Sequence, residues 1–126
     1  MRSLLFVAAT IAFTAGSAVA AGGGEIITGE WSRTDGGSRI NIAPCGEQFC
    51  AVNTWVKDTS KGEAVGDKLI MSLQPQEPAK LAGEAFDEKR KLRYTMKILV
   101  ADNAMTTEGC MLSGVVCKTM HWNRAH

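Results

Sequence analysis

Few residues in this chain carry groups that could do chemistry. Cys45, Cys50, Cys110 and Cys117 could form disulfides, a redox dithiol or a metal site. Neither close pair is a C-x-x-C, and no histidine lies near Cys45 or Cys50. Two structural disulfides are therefore the expected use in an exported domain. Sequence alone does not choose among the connectivities. Local pairing is expected, because each close pair flanks a turn that brings two antiparallel strands within disulfide reach. Met71, Met96, Met105 and Met120, with His121, raise Cu(I), which thioether and imidazole suit. Met120 and His121 are adjacent on a strand and point to opposite faces. Methionine is also ordinary core filler, so no metal is expected. His121 and His126 both lie near the C-terminus, and Glu84 and Asp87 stand without a marked partner. No Ser-His-Asp or paired-carboxylate pattern emerges, so the expectation is a non-catalytic protein without a cofactor.

The candidate binding residues are aromatic. Trp55 opposes Val52, Thr54 and Val56 in strand parity, so it faces outward if those face the core, unless a bulge turns it inward. An outward tryptophan is a reasonable interface anchor. Phe49 sits at a disulfide-pinned hairpin tip, where it either lines a barrel mouth or folds back over the core. Tyr94 opens an alternating run whose inward face continues through Met96, Ile98 and Val100. Lys89-Arg90-Lys91 and Arg93 form a charge cluster that reads as a solvated turn.

The elements that must position these residues are short strands. The first lies within Glu25 to Arg33, and Asp35-Gly36-Gly37 is a hairpin turn. Arg39 to Ala43 alternates strictly, and Cys45 to Cys50 is a tight return into Ala51 to Val56. Lys57 to Gly66 reads as a surface loop. Leu69, Met71 and Leu73 mark a fourth strand, which the prolines of Gln74 to Pro78 should exclude from further pairing. Lys80 to Asp87, Tyr94 to Val100, Met105 to Cys110 and Cys117 to Arg124 complete eight. No segment has the spacing of a long helix. Hairpin-sized connections favour an all-β, eight-stranded antiparallel up-and-down barrel, closed so that no edge is free. Its expected inward face carries Trp31, Ile40, Ile42, Val52, Leu69, Met71, Tyr94, Met96, Ile98, Met120 and Trp122. That crowding implies a cavity that is small, or opened at one end by the Lys57–Gly66 loop.

Residues 1–20 read as a cleavable signal peptide: Arg2, an apolar run from Leu4 to Thr14, and a small-x-small site at Ala18-Val19-Ala20. The run is too short to span a bilayer, which needs ~20 apolar residues. Residues 21–28 read as a flexible lead-in and 29–126 as one barrel domain. Without Arg2, Lys+Arg falls from 14 to 13 against 13 Asp+Glu. A net charge near zero argues against nucleic acid or an anionic membrane as the main partner. No second long apolar run follows, so no transmembrane segment is expected in the mature chain, which would be periplasmic or secreted.

Gly29-x-Trp31 on the first strand, answered by Arg124 on the last, resembles the lipocalin-like (calycin) barrels. That resemblance implies an arginine packed over the tryptophan at a closed end. Gly29, Trp31, Trp122 and Arg124 would then be the closure residues. A more specific resemblance, from about Gly29 to Arg124, is to domain-of-unknown-function family 2147, a group of small exported bacterial proteins. It rests on Gly29-x-Trp31, Cys45-Gly46-x-x-Phe49-Cys50, Gly83 with Tyr94, Gly109-Cys110, Cys117 and Trp122-x-Arg124. The chain departs from the family pattern at Asp58-Thr59-Ser60-Lys61-Gly62, where the family carries Asp-x-x-Asn-Pro. It departs again at Leu81-Ala82, where a tryptophan is expected. A binding function carried by that region would be lost or changed here. The resemblance implies a fold and a compartment, and no reaction.

Two functions fit this reading. One is a barrel binding a small apolar or amphipathic ligand in the cell envelope. The other is a protein-interaction barrel, such as a hydrolase inhibitor, meeting an envelope protein through a hairpin tip or Trp55.

Overall fold

The computed structural model describes residues 24–111 and 114–125. The leader and residues 21–23 lie outside the described residues. Eight strands follow in order: β1 (Gly29–Arg33), β2 (Ser38–Cys45), β3 (Gln48–Val56), β4 (Lys68–Glu77), β5 (Lys80–Asp87), β6 (Leu92–Ala101), β7 (Ala104–Met111) and β8 (Cys117–Arg124). Each pairs antiparallel with the next, and β1 pairs with β8, giving a closed up-and-down barrel. Trp31 lies opposite Arg124 in the closing register, so the all-β expectation holds.

Antiparallel alternation divides the barrel into two ends. The chain before β1, the turns at 46–47, 78–79 and 102–103, and the end of β8 share one of them. That end is solid. Ile27, Trp31, Phe49, Leu73, Leu81, Val100 and Met105 are buried there in one cluster. At the other end lie the connections 34–37, 57–67, 88–91 and the β7–β8 turn.

The segment Gly24 to Thr28 is part of the plug, which corrects the reading of a flexible lead-in. A 3₁₀ turn at Gly24–Ile26 places Ile27 in the core with no exposure. The Gly24 carbonyl accepts from the Ile27 amide (3.1 Å) and the Thr28 hydroxyl (2.9 Å). Glycine is needed at position 24, because a Cβ there would overlap the Phe49 ring. The first strand is correspondingly shorter than its hydrophobic pattern suggests, since Ile26 and Ile27 belong to the turn.

Arg124 holds this end together. Its guanidinium donates to the Thr28 and Ile26 carbonyls, each at 2.9 Å, and lies 4.1 Å from the centre of the Trp31 ring. The Trp31 indole N–H donates to the Ile27 carbonyl at 2.9 Å. Gly29 adopts φ of 120°, which turns the chain from the 3₁₀ turn into β1.

Two further differences from the sequence reading have local causes. Pro75 does sit in a ladder, opposite Leu81. Its missing N–H is tolerated because β3 pairs with β4 only as far as Met71, leaving that edge of β4 unpartnered further on. Val52 faces outward, opposite Asn41 and Lys68, and does not belong to the interior. The cause is a bulge: Arg39 pairs with Trp55 while Ile40 pairs with Asn53, so Thr54 is the extra residue. Phe49, Ala51 and Asn53 therefore face inward, and parity flips before Val56.

Both disulfides are local, Cys45–Cys50 and Cys110–Cys117. In the chain-entropy account, loops this short each stabilise by about 2 kcal/mol. They pin one hairpin at each end of the barrel.

Candidate functional site

The end opposite the plug opens into a cavity of about 430 Å³. Its apolar wall follows from period-2 alternation on neighbouring strands: Ile40 and Ile42 from β2, Met71 from β4, Met96 and Ile98 from β6, and Trp122 from β8. Uncharged polar side chains on the lining are few. Thr107 accepts the Trp122 indole N–H at 3.0 Å, which fixes that ring as part of the wall. Ser38, Asn53 and Tyr94 also line the cavity. Ala51 and Gly109 leave it open where larger side chains would fill it.

The mouth is charged and is partly covered by the 57–67 connection. Asp58 caps a 3₁₀ turn at Thr59–Lys61 by accepting from the Ser60 amide (2.9 Å) and hydroxyl (2.6 Å). The Gly62 carbonyl accepts from Arg90 at 2.5 Å, across the mouth from the β5–β6 turn. Asp67 pairs with Lys89 at 3.2 Å and Arg90 at 3.7 Å, while Asp87 pairs with Arg90 at 2.9 Å. Arg33 pairs with Asp35 at 2.8 Å and with Glu63 at 3.3 Å. Asn53 completes the attachment, donating its side-chain amide to the Ala64 carbonyl at 3.3 Å. The cluster Lys89–Arg93 is thus more than a solvated turn: Lys89 and Arg90 latch the loop, and Arg93 lies 4.8 Å from the Phe86 ring centre.

These carboxylates predict how the mouth responds to acid. Burial works to raise the Asp67 carboxyl, but the Ala64 N–H, Lys89 and Arg90 outweigh it and hold it below its ordinary 3.8. The Ser60 hydroxyl, and then its N–H, hold Asp58 low as well. A carboxyl lowered by folding contributes fully above its unfolded value and loses that contribution as pH falls through the folded one. The latch is expected to be intact at neutral pH and to loosen only below 3.8. In an NMR titration the amides of Gly62, Ala64 and Gly66 are expected to shift together there, ahead of the strand amides. A common midpoint above that value would contradict the assignment.

The residues proposed from sequence are not brought together. Tyr94 lines the cavity, half-buried. Trp55 is 46% exposed on the outer surface near the open end. Phe49 is buried at the closed end under Gly24, so of its two readings the structure shows the fold back over the core. Gly29, Trp31 and Arg124 form the closure, and Trp122 joins the closed core to the cavity wall. Of the methionines, Met71, Met96 and Met120 face the cavity, whereas His121 lies exposed on the other face, 3.3 Å from the Thr106 hydroxyl. His126 lies outside the described residues. Among the described residues, no three His, Cys, Asp or Glu side chains are grouped to hold a metal. The sequence reading missed Ser38, Asn53, Thr107 and Lys118. Lys118 was legible, since it shares the parity of Met120 and Trp122.

A closed eight-stranded antiparallel barrel, bolted at one end by tryptophan and arginine and open to a cavity at the other, defines an up-and-down β-barrel protein. Within that class the chain belongs to the bacterial family described as "Uncharacterized protein conserved in bacteria (DUF2147)", whose model matches residues 29–124. No curated protein and no solved structure matches it. Within the 57–67 connection, Lys61 and Glu63 line the mouth of the cavity.

Proposed function

We propose that this protein is a non-catalytic binder of one small amphipathic molecule in the cell envelope. The observation that carries the reading is the cavity: about 430 Å³, walled by apolar side chains, and open only at the end that also carries the charges. Its volume lies within the ~300–1,000 Å³ of ordinary ligand pockets. Two disulfides support an oxidising compartment, periplasmic or extracellular. Among the described residues no helix is long and apolar enough to cross a membrane.

Native mass spectrometry of the mature protein, purified from its own host without detergent, tests this reading. A bound mass removable by organic extraction is expected. After extraction, an apolar probe should change the indole emission of a Trp55→Phe/Trp31→Phe variant, in which Trp122 is the one remaining indole. An unliganded mass together with an unresponsive Trp122 would reject the reading. The rival, a protein-interaction barrel, rests on Trp55 alone. Phe49 is buried at the opposite end, so the two aromatics share no rim.

A further inference from the structure

We infer that the cavity selects a single-chain amphiphile with an anionic head, the chain lying against Met71, Met96 and Trp122 and the head between Lys61 and Lys118. This inference rests on the binding reading above and adds the charge of the ligand. The argument is one of pairing at the mouth. Five cationic side chains line the cavity, Arg33, Lys61, Lys68, Arg90 and Lys118, against three acids, Glu63, Asp67 and Asp87. Each of those acids is engaged: Glu63 by Arg33, Asp67 by Lys89 and Arg90, and Asp87 by Arg90. Lys68 pairs outside the cavity, with Glu88 at 3.7 Å. Lys61 and Lys118 have no ion pair among the described residues, although both line the opening.

Their placement suits a head group at the mouth. Lys118 is on β8 in register with the inward-facing Met120 and Trp122, so its aliphatic stem continues the apolar wall and its ammonium reaches solvent. Lys61 ends the capped 3₁₀ turn over the same opening, next to the Gly62 carbonyl that Arg90 holds. The whole chain has a formal charge of only +1, so two unpaired ammonium groups at one mouth are a local concentration of charge. A low-dielectric cavity beneath them focuses their field on an entering head group. The wall below is mainly aliphatic, thioether and indole surface, with no cationic side chain beyond the rim, so the charge belongs at the rim and the chain below.

The test is a head-group series on one chain length: dodecanoate, dodecanol and dodecyltrimethylammonium. Each is titrated below its micelle-forming concentration or solubility limit and followed by Trp122 emission in a Trp55→Phe/Trp31→Phe background. Dodecanoate is expected to bind about 5- to 10-fold more tightly than dodecanol at low salt, with the cation weakest. Added salt should shrink that margin, because the lysines are exposed. In a Lys61→Gln/Lys118→Gln variant the dodecanoate-to-dodecanol ratio is expected to fall to about one. Equal binding of dodecanoate and dodecanol by the parent protein, or a preference that survives in the variant, overturns the inference and leaves the binding reading standing. Binding of none of the three overturns both.

Discussion

Replacing Arg124 with alanine is expected to destabilise the barrel by about 3–5 kcal/mol, read as a fall in the urea midpoint at unchanged m-value. The guanidinium donates to two carbonyls, those of Thr28 and Ile26, that no strand ladder reaches. Hydrogen bonds to a charged group are worth about 1.5–3 kcal/mol each, and their loss leaves both acceptors partly buried without a donor. The stack on Trp31 contributes within the same total, because contacts made by one guanidinium are not additive. Out of a typical total of about 5–15 kcal/mol, such a loss is large. Arg124→Lys keeps the charge but not the planar fork, so it should recover less than half. Because the guanidinium ties the 3₁₀ turn to the last strand, backbone amides of Ile27 and Thr28 should lose exchange protection first. Uniform loss across all eight strands would show instead that the bolt acts on the barrel as a whole.

The closure was legible through the resemblance, which sets a tryptophan on the first strand against an arginine on the last. Gly29-x-Trp31 sits at the start of one strand and Arg124 at the end of another, and the observed register places Trp31 opposite Arg124. The interior was legible wherever alternation runs unbroken, as from Tyr94 to Val100. It was not legible across β2–β3. A strict period of two puts Val52 inside and Asn53 outside, and the bulge at Thr54 reverses both while leaving Trp55 on the surface. Trp55 thus faces outward for a different reason from the one its parity suggests: without the extra residue it would share the inward face of Ala51 and Asn53. Phe49 is a second case, with two readings left open by the sequence. Its burial depends on Gly24, a residue 25 positions away whose missing side chain leaves room for the ring, and such a long-range fit leaves no mark in a local window. The cavity is a third. It exists because Ala51 and Gly109 are small at one level of the barrel while Ile27 and Phe49 fill the other, a balance of volumes that strand patterns do not report.

That balance is why a single enlarged side chain is the sharpest test of function. In Ala51→Phe the new ring would project into the cavity between Ile42 and Leu69, its cross-strand neighbours on β2 and β4. It meets empty volume rather than packed core, so folding is expected to gain about 0.5–2 kcal/mol, as cavity-filling changes commonly do. Ligand contact would be lost in the same place. An apolar chain denied about 100 Å² of wall forfeits about 2.5 kcal/mol, so binding of dodecanoate and dodecanol alike should weaken by at least ~30-fold. The opposite signs matter, since a variant that merely damages the fold would lose both stability and binding. Gly83→Ala provides that contrast: its Cβ would overlap the Ser72 carbonyl oxygen on β4, where backbone cannot give way without breaking the β4–β5 ladder. If Ala51→Phe melts higher and still binds both amphiphiles as the parent does, the cavity is not where they go.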